Sequence, residues 1–192
     1  ALLDGHTTTG VTILFTVKAL DAGHIILQES FVIEPHETAA DLTPRLFKAS
    51  GSLLLAALDQ LRDPSFTGTV QDELKATFCR KIAKTDGAVD WSKNARKLWN
   101  EFRAYQPWPG CYTERDKLRI VIEELVLEKE IIQTLAPGEF YLDKKNKALR
   151  VGTGDGQLAI KRLKSAGSKS VDAASFWNGL RLEGKGQFEV IC

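Results

Sequence analysis

Asp21 is the residue of this sequence whose position best suits chemistry. It lies in the tight turn Leu20-Asp21-Ala22-Gly23, directly after a stretch in which apolar residues alternate as they do in a β-strand. Open α/β sheets bind their ligands at the ends of such strands, where a carboxylate can act as a general base. An aspartate in a turn can also serve only to accept hydrogen bonds from nearby backbone N–H groups. The turn by itself favours this second interpretation.

Other patterns that could bind a phosphate or a metal are weak. The glycine-rich run 152–156 lacks the Gly-Lys-Ser/Thr ending of a phosphate-binding loop. A strand pattern follows it, which predicts a hairpin turn whose glycines adopt positive φ angles. The spacing of His6, His24 and His36 fits no metal site, and no metal is expected. The three cysteines are widely spaced, which argues against a disulfide framework and favours a reducing compartment.

Basic residues are concentrated in the last third of the chain. Residues 1–128 carry 15 basic and 18 acidic side chains, a net charge of −3. Residues 129–192 carry 11 basic and 7 acidic side chains, a net charge of +4, so the total is +1. Such a basic surface could bind the phosphates of a nucleic acid by counterion release. A solvated lysine-rich face is the alternative, and charge alone favours it. The cluster comprises Lys144, Lys145, Lys147, Arg150, Lys161, Arg162, Lys164 and Lys169.

The elements around Asp21 follow from the hydropathy pattern. Strands are predicted over 9–18 and 25–33, and a helix with an apolar stripe over 42–61. The start of this helix is ambiguous, because Thr38 can open a capping box and Thr43 can act as N-cap before Pro44. Two short helices that meet at Pro44 would satisfy both signals. A turn-rich linker is predicted over 63–83.

The rest of the chain predicts one helix, a series of short strands and a last helix. Ser92 is the predicted N-cap of the first helix, whose buried stripe is Ala95, Leu98, Trp99 and Phe102. Short strands separated by turns indicate a small barrel or sandwich. No apolar run is long enough to span a bilayer, and no membrane partner is expected. The predicted strands are 117–127, 139–142, 148–151 and 157–163, and the last helix is 170–178, closed by Gly179.

Taken in order along the chain, these motifs resemble the methionyl-tRNA formyltransferase family. Two segments are similar to the end of its catalytic domain, the next three to its linker and the region that follows, and two to its C-terminal domain. The alternatives are the hydrolase-like region of 10-formyltetrahydrofolate dehydrogenase and a tRNA-binding module without activity. The run Pro107-Trp108-Pro109-Gly110 and the glycines of 152–156 are closer to the tRNA enzyme. The matching segments are 9–13, 20–26, 76–82, 86–91, 103–110, 165–169 and 176–179.

The resemblance implies a fold and an activity. The expected fold is an α/β remnant of a Rossmann-like formyltransferase domain (1–62), the linker (63–83), and a mainly β, OB-like barrel domain that binds tRNA (84–192). The expected reaction moves a formyl group from 10-formyltetrahydrofolate to the amino group of initiator methionyl-tRNA, for translation initiation. A monomer is expected, in the mitochondrial matrix if the source is eukaryotic and in the cytoplasm if it is bacterial.

The resemblance also implies site residues. Asp21 matches an Asp of the family that assists proton transfer at the attacking amine. The family's Asn and His, which hold the formyl oxygen, belong to an Asn-x-His motif expected before Ala1. Because the sequence has no methionine and lacks that motif, an inactive fragment or a processed chain is expected. The expected folate contacts are Val17, Lys18, Ala19 and Leu20. The expected tRNA contacts are Lys144, Lys145, Lys161, Arg162, Lys164 and Lys169, with Lys81 and Lys84 as a second tier.

Overall fold

A computed structural model describes residues 1–128, 133–182 and 184–189. The chain divides into two units. The first unit comprises Ala1 and His6–Lys81, and the second comprises Leu2–Gly5 and the described residues from Ile82 onward.

The first unit combines a two-stranded antiparallel sheet with one long helix. Strands β1 (Thr8–Leu14) and β2 (Ile25–Val32) form the sheet, and helix α1 (Ala39–Gln60) packs against both of them. Apolar residues at helical spacing face the sheet, as the sequence pattern predicts. None of the described helices, α1 included, has an apolar stretch long enough to cross a membrane. The buried side chains of α1 are Leu42, Leu53 and Ala57.

Helix α1 runs continuously through Pro44, so the alternative of two short helices is wrong. Its N-cap is Thr38, whose backbone N–H and hydroxyl both donate to the Asp41 carboxylate, at 3.0 and 2.6 Å. These hydrogen bonds also lower the pKa of Asp41. Pro44 removes one backbone hydrogen bond near the helix start, where the capping box and the buried Leu42 hold the helix together.

The second unit is mainly β. Within the part of the chain that the structure describes, its strands are β3 (Cys111–Arg115), β4 (Leu118–Leu127), β5 (Glu139–Asp143), β6 (Ala148–Gly152), β7 (Gln157–Ser165), β8 (Val171–Asp172) and β9 (Gly186–Gln187). They form one antiparallel sheet in the order β3-β4-β7-β6-β5-β9, with β8 beside β7. The Glu189 backbone N–H donates to the Glu114 carbonyl at 2.8 Å, which links the two ends of this order. The sheet therefore curls around a core.

Two helices accompany this sheet, α2 (Ala95–Ala104) and α3 (Ala173–Leu180). Trp91 is fully buried in the core; its ring stacks on Phe188, and its Nε1 donates to Thr113 Oγ1 at 2.9 Å. The indole is thus buried with its polar atom satisfied. The predicted stripe of α2 is confirmed, because the structure buries Ala95, Leu98, Trp99 and Phe102.

The ends of both helices differ from the sequence predictions. Asn94, and not Ser92, caps α2: its Oδ1 accepts a hydrogen bond from the Lys97 N–H at 2.6 Å. Ser92 instead donates to Asp90, which precedes it by two residues. Helix α3 continues past Gly179, and Arg181 with a φ of 51° closes it. Helix α3 also begins at Ala173 and not at residue 170, so these errors at helix ends concern one to three residues.

The glycine run 152–156 forms the predicted hairpin turn, between β6 and β7, but for a different reason. None of its glycines has a positive φ angle. A Cβ atom on Gly154 would lie 2.1 Å from the Ser92 carbonyl oxygen, and one on Gly152 would lie 2.3 Å from that of Ala136. These glycines are therefore required by the close approach of neighbouring backbone.

Strand β3, which the sequence pattern did not predict, forms the edge of the sheet.

Candidate functional site

Asp21 lies in the loop that joins the antiparallel strands β1 and β2. β1 ends at Leu14 and not at residue 18 as predicted, so the expected folate contacts 17–20 are in the loop. Their side chains are exposed, including Leu20, which is 92% exposed. Asp21 itself is exposed and has a φ of 53°, in the left-handed region that aspartate and asparagine tolerate better than most residues.

Gly23 allows this loop to fold back on β1. The Phe15 backbone N–H donates to the His24 carbonyl at 3.0 Å, which draws the two arms of the loop together. Gly23 is buried there, and a Cβ atom on it would lie 1.7 Å from the Phe15 carbonyl oxygen. Any side chain at this position would force the arms apart and displace the neighbouring Asp21.

A distant segment holds the Asp21 loop in place. We call residues 67–71 the strap. The Gln71 side chain, through Nε2, donates to the carbonyl oxygens of Asp21 and Gly23, both at 2.7 Å. Its amide therefore fixes the backbone on both sides of the Asp21–Gly23 turn.

Backbone contacts attach the rest of the strap to the start of β2. Ile25 and Thr69 exchange two hydrogen bonds, N–H to carbonyl, both at 2.8 Å. His24 Nδ1 lies 2.9 Å from the Thr67 carbonyl oxygen. The strap lies within the segment predicted as a linker, and no sequence pattern marks Gln71. A lone polar residue in a turn-rich stretch carries no periodic signal, and its partners lie about 50 residues earlier.

Replacing Gln71 with leucine is expected to loosen the Asp21 loop. The variant loses two hydrogen bonds of about 1 kcal/mol each, so amide exchange over 21–25 should accelerate roughly tenfold or more. Native-state hydrogen exchange measures this directly. Gln28→Leu is the matched control, because it removes an exposed hydrogen bond to Thr12 Oγ1 in the same unit. Equal exchange at 21–25 in both variants would contradict the role given to Gln71.

The Asp21 carboxylate is available for chemistry. Within the described residues, no hydrogen bond or ion pair engages its oxygens, so a role limited to capping the turn has no contact to support it. A carboxylate on an ordered backbone and open to solvent can accept a proton from a bound amine. The arrangement suits general-base chemistry at an exposed loop.

The eight basic residues expected to contact tRNA lie in several parts of the structure. Lys144 and Lys145 are exposed in the turn between β5 and β6. Lys169 is exposed between β7 and β8, Lys81 is exposed in the first unit, and Lys84 begins a short 3₁₀ turn of the second. The three others lie on β7 and are Lys161, Arg162 and Lys164.

The residues of β7 differ in their surroundings. Lys161 Nζ donates to the Asn146 carbonyl at 2.6 Å. Arg162 stands between acidic residues, opposite Glu124 on β4 and Asp172 on β8. Hydrogen bonds from Ser175 lower the pKa of Asp172, and the charge of Arg162 lowers it further. Lys164 lies opposite the apolar Val121 instead, and it is the best placed of the three to meet a phosphate.

The prediction that Arg150 belongs to the basic surface is wrong. Its side chain is only 4% exposed and forms ion pairs with Glu128 at 2.8 Å and Asp143 at 3.0 Å. Burial acts to raise the pKa of Asp143, but hydrogen bonds from Asn146 and Arg150 outweigh it and hold this pKa below its ordinary value. Arg150 is a buried structural cation.

Acidic, histidine and cysteine side chains do not gather at a metal site in the described ranges. No group of three such residues lies close enough to hold an ion. Cys111 is buried, which raises the pKa of its thiol to about 12, so it is an inert core residue at neutral pH. The expected absence of a metal stays a prediction.

Comparison with protein families decides which group of proteins this fold represents. A family model described as "Formyl transferase, C-terminal domain" matches residues 81–181, more than half of the chain, and one described as "Formyl transferase" matches residues 1–58. The chain belongs to the formyl transferase family. The predicted fold class, an α/β portion followed by a mainly β domain, is confirmed for this formyl transferase chain.

Curated relatives include two bacterial methionyl-tRNA formyltransferases. The protein of Listeria monocytogenes is 35% identical over 180 residues, and that of Staphylococcus aureus is 34% identical over 182 residues. Each match covers 93% of this chain and 57% of the relative. The formyl transferase chain thus spans little more than half the length of these relatives.

Solved structures share the fold at lower identity. HypX from Aquifex aeolicus, in complex with tetrahydrofolic acid, has a TM-score of 0.64 at 20% identity, over 91% of this chain and 31% of that one. WlaRD, a sugar 3N-formyl transferase, has a TM-score of 0.64 at 20% identity, over 88% and 58%. Methionyl-tRNA formyltransferase from Clostridium thermocellum has a TM-score of 0.54 at 15% identity, over 66% and 56%. At these identities the similarity concerns the fold alone.

Proposed function

We propose that this formyl transferase chain acts in the formylation of initiator methionyl-tRNA, with 10-formyltetrahydrofolate as the formyl donor. The observation that carries the proposal is the 34–35% identity to methionyl-tRNA formyltransferases over 93% of the chain. Neighbours that act on sugars share the fold at 18–20% identity, which supports no particular acceptor. The folate donor is supported by the family and by the tetrahydrofolic acid complex of HypX.

The reaction joins the methionine amine to the formyl carbon. The amine nitrogen attacks that carbon, a C–N bond forms, and the carbonyl oxygen gains negative charge that hydrogen-bond donors must stabilise. The bond from the formyl carbon to N10 of the folate then breaks, N10 takes up a proton, and the amine loses one. Atoms and charges balance without a redox partner or a metal.

Asp21 accepts the proton that the amine loses. Its carboxylate is exposed and unengaged within the described residues, and the strap fixes the backbone that carries it. The loop 17–20 lies directly before it, so we propose that the folate donor is bound beside this loop. The donors that stabilise the developing oxyanion would be the Asn and His of the family's Asn-x-His motif.

The second unit binds the tRNA in this proposal. Its exposed lysines in turns extend into solvent, where they can neutralise phosphates and release counterions. We propose that the protein acts as a monomer, in the cytoplasm of a bacterium or in the mitochondrial matrix of a eukaryote. The proposed phosphate contacts are Lys84, Lys144, Lys145, Lys164 and Lys169, with Lys81 from the first unit.

A reconstitution assay tests the proposal. The chain is fused to the part of the Listeria monocytogenes relative that the match does not cover, and formylation of methionyl-tRNA is measured with 10-formyltetrahydrofolate. Formyl-methionyl-tRNA is the expected product. Hydrolysis of the donor without tRNA formylation would favour the hydrolase-like alternative. Binding of tRNA by the chain with no reaction of either kind would favour a binding module.

A further inference from the structure

One face of the sheet in the second unit presents an arginine that has no ionic partner among the residues that the structure describes. Thr113, Ile120 and Ile122 are buried on the inner face of β3 and β4. Side chains alternate along a strand, so Tyr112 and Arg119 point to the opposite, outer face. Both are partly exposed there.

Arg119 is held on the ring of Tyr112. The centre of its guanidinium lies 3.5 Å from the ring centroid, a close cation–π contact between diagonal neighbours on two paired strands. Glu114 is the register partner of Arg119, but no carboxylate of the described residues lies within 4.0 Å of this guanidinium. The ring covers one face of the cation, and no described side chain or carbonyl accepts a hydrogen bond from its in-plane N–H donors.

Stacking prepares this arginine to recognise a phosphate. A guanidinium presents its N–H donors as a planar fork that binds two oxygens of a phosphate at once. An arginine already packed on a ring loses less side-chain entropy when it binds than a free lysine does.

A row of register partners connects this pair to a residue of the proposed tRNA surface. Tyr112 lies opposite Val121, and Val121 lies opposite Lys164, so the outer face carries two cations on neighbouring strands. No acidic residue stands in this row. Arg162 on the same β7 faces Glu124 and Asp172 instead.

We propose that Arg119, stacked on Tyr112, contacts a backbone phosphate of the bound tRNA together with Lys164. The proposal rests on the tRNA-binding function given above and adds residues that the charge count missed. Arg119 lies in residues 1–128, whose net charge is −3, so no basic cluster marks it in the sequence. In this proposal Arg119 is a binding residue and Tyr112 is a positioning residue.

Filter binding of an initiator tRNA transcript to the chain, measured across a salt series, separates these two roles. Arg119→Gln removes one phosphate contact, so the affinity should fall about tenfold and the slope of log K against log[salt] should become shallower by about 0.7–0.9. Tyr112→Val keeps the charge and frees the arginine, so the affinity should fall severalfold with an unchanged slope. Arg119→Lys should behave in the same way, because it keeps the charge and loses the fork.

Two controls accompany these variants. Tyr112→Phe keeps the ring and should bind as the unsubstituted chain does. Arg96→Gln removes an exposed arginine from α2, the helix that covers the inner face, and should leave both affinity and slope unchanged. Circular dichroism confirms that each variant is folded.

The outcomes distinguish this inference from the proposed function. Binding that survives Arg119→Gln within twofold, while Lys164→Gln weakens it, would overturn the inference and leave tRNA binding intact. A loss of affinity equal in Arg119→Gln and Arg96→Gln would show a general charge effect and would also overturn it. If the unsubstituted chain binds no tRNA at low salt, the proposed function of the second unit fails, and this inference fails with it.

Discussion

Asp21→Asn is expected to lower the rate of formyl transfer by about a hundredfold or more in the reconstituted enzyme. General-base catalysis contributes roughly 10²–10⁴ to a rate, and an amide cannot accept the proton of the attacking amine. Asparagine suits this test because it tolerates the φ of 53° at this position and has nearly the same shape. Single-turnover formylation of methionyl-tRNA measures the loss.

Measurements of tRNA affinity show whether the lower rate of Asp21→Asn arises in the chemical step or in binding. The affinity of the Asp21→Asn enzyme for tRNA should equal that of the parent, because the change lies in the first unit and leaves the basic surface intact. Asp59→Asn is the matched control; it alters an exposed aspartate whose carboxylate forms a surface ion pair with Arg62, and it should keep full activity. A single-turnover rate for Asp21→Asn equal to that of Asp59→Asn would rule out Asp21 as the base.

Arg150→Met is expected to cost the second unit about 3 kcal/mol of unfolding free energy. The substitution leaves Glu128 and Asp143 without their shared cation, and an uncompensated charge in a largely buried place is strongly unfavourable. Urea denaturation followed by tryptophan fluorescence measures the effect, since all four tryptophans lie after residue 82. Arg96→Met, on the exposed side of α2, should change the stability by less than about 0.5 kcal/mol.

The pH dependence of the difference in unfolding free energy between the parent and Arg150→Met provides a second measurement. The folded-state pKa of Asp143 is lowered from its ordinary value of 3.8, so its stabilising contribution is present above that pH and is lost as the pH falls through the lower folded-state value. The gap in stability between the parent and Arg150→Met should therefore narrow below about pH 3.8. A gap that stays constant into that acidic range would show that lost packing, and not charge, causes the effect.

The elements of this chain could largely be predicted from local patterns. Alternating apolar residues marked β1, and a run of β-branched and apolar residues marked β2. The stripe from Ala95 to Phe102 marked α2, because its spacing states which side of the helix is buried. Strand β3 escaped prediction. Its residues Cys111–Arg115 follow two prolines closely, and its inner face buries Thr113, a polar residue whose partner Trp91 lies 22 positions away.

The candidate sites were less predictable than the elements. Asp21 was found because its turn, Leu20-Asp21-Ala22-Gly23, directly follows an alternating strand pattern and resembles a segment of the formyltransferase catalytic domain. The strap that holds its backbone depends on Gln71, which carries no pattern of its own. Counting charges placed Arg150 on the surface and passed over Arg119, although the structure buries the first and exposes part of the second.

The sequence by itself determined the longer strands and helices, the turn that carries Asp21, and the uneven distribution of charge. Each of these depends on neighbours within a few residues, whose spacing fixes the periodicity of a strand or helix. Only the tertiary structure decided which distant residues meet: Gln71 on the Asp21 loop, two carboxylates around Arg150, and Tyr112 beneath Arg119. Those contacts follow from strand register and chain folding, which local spacing does not specify.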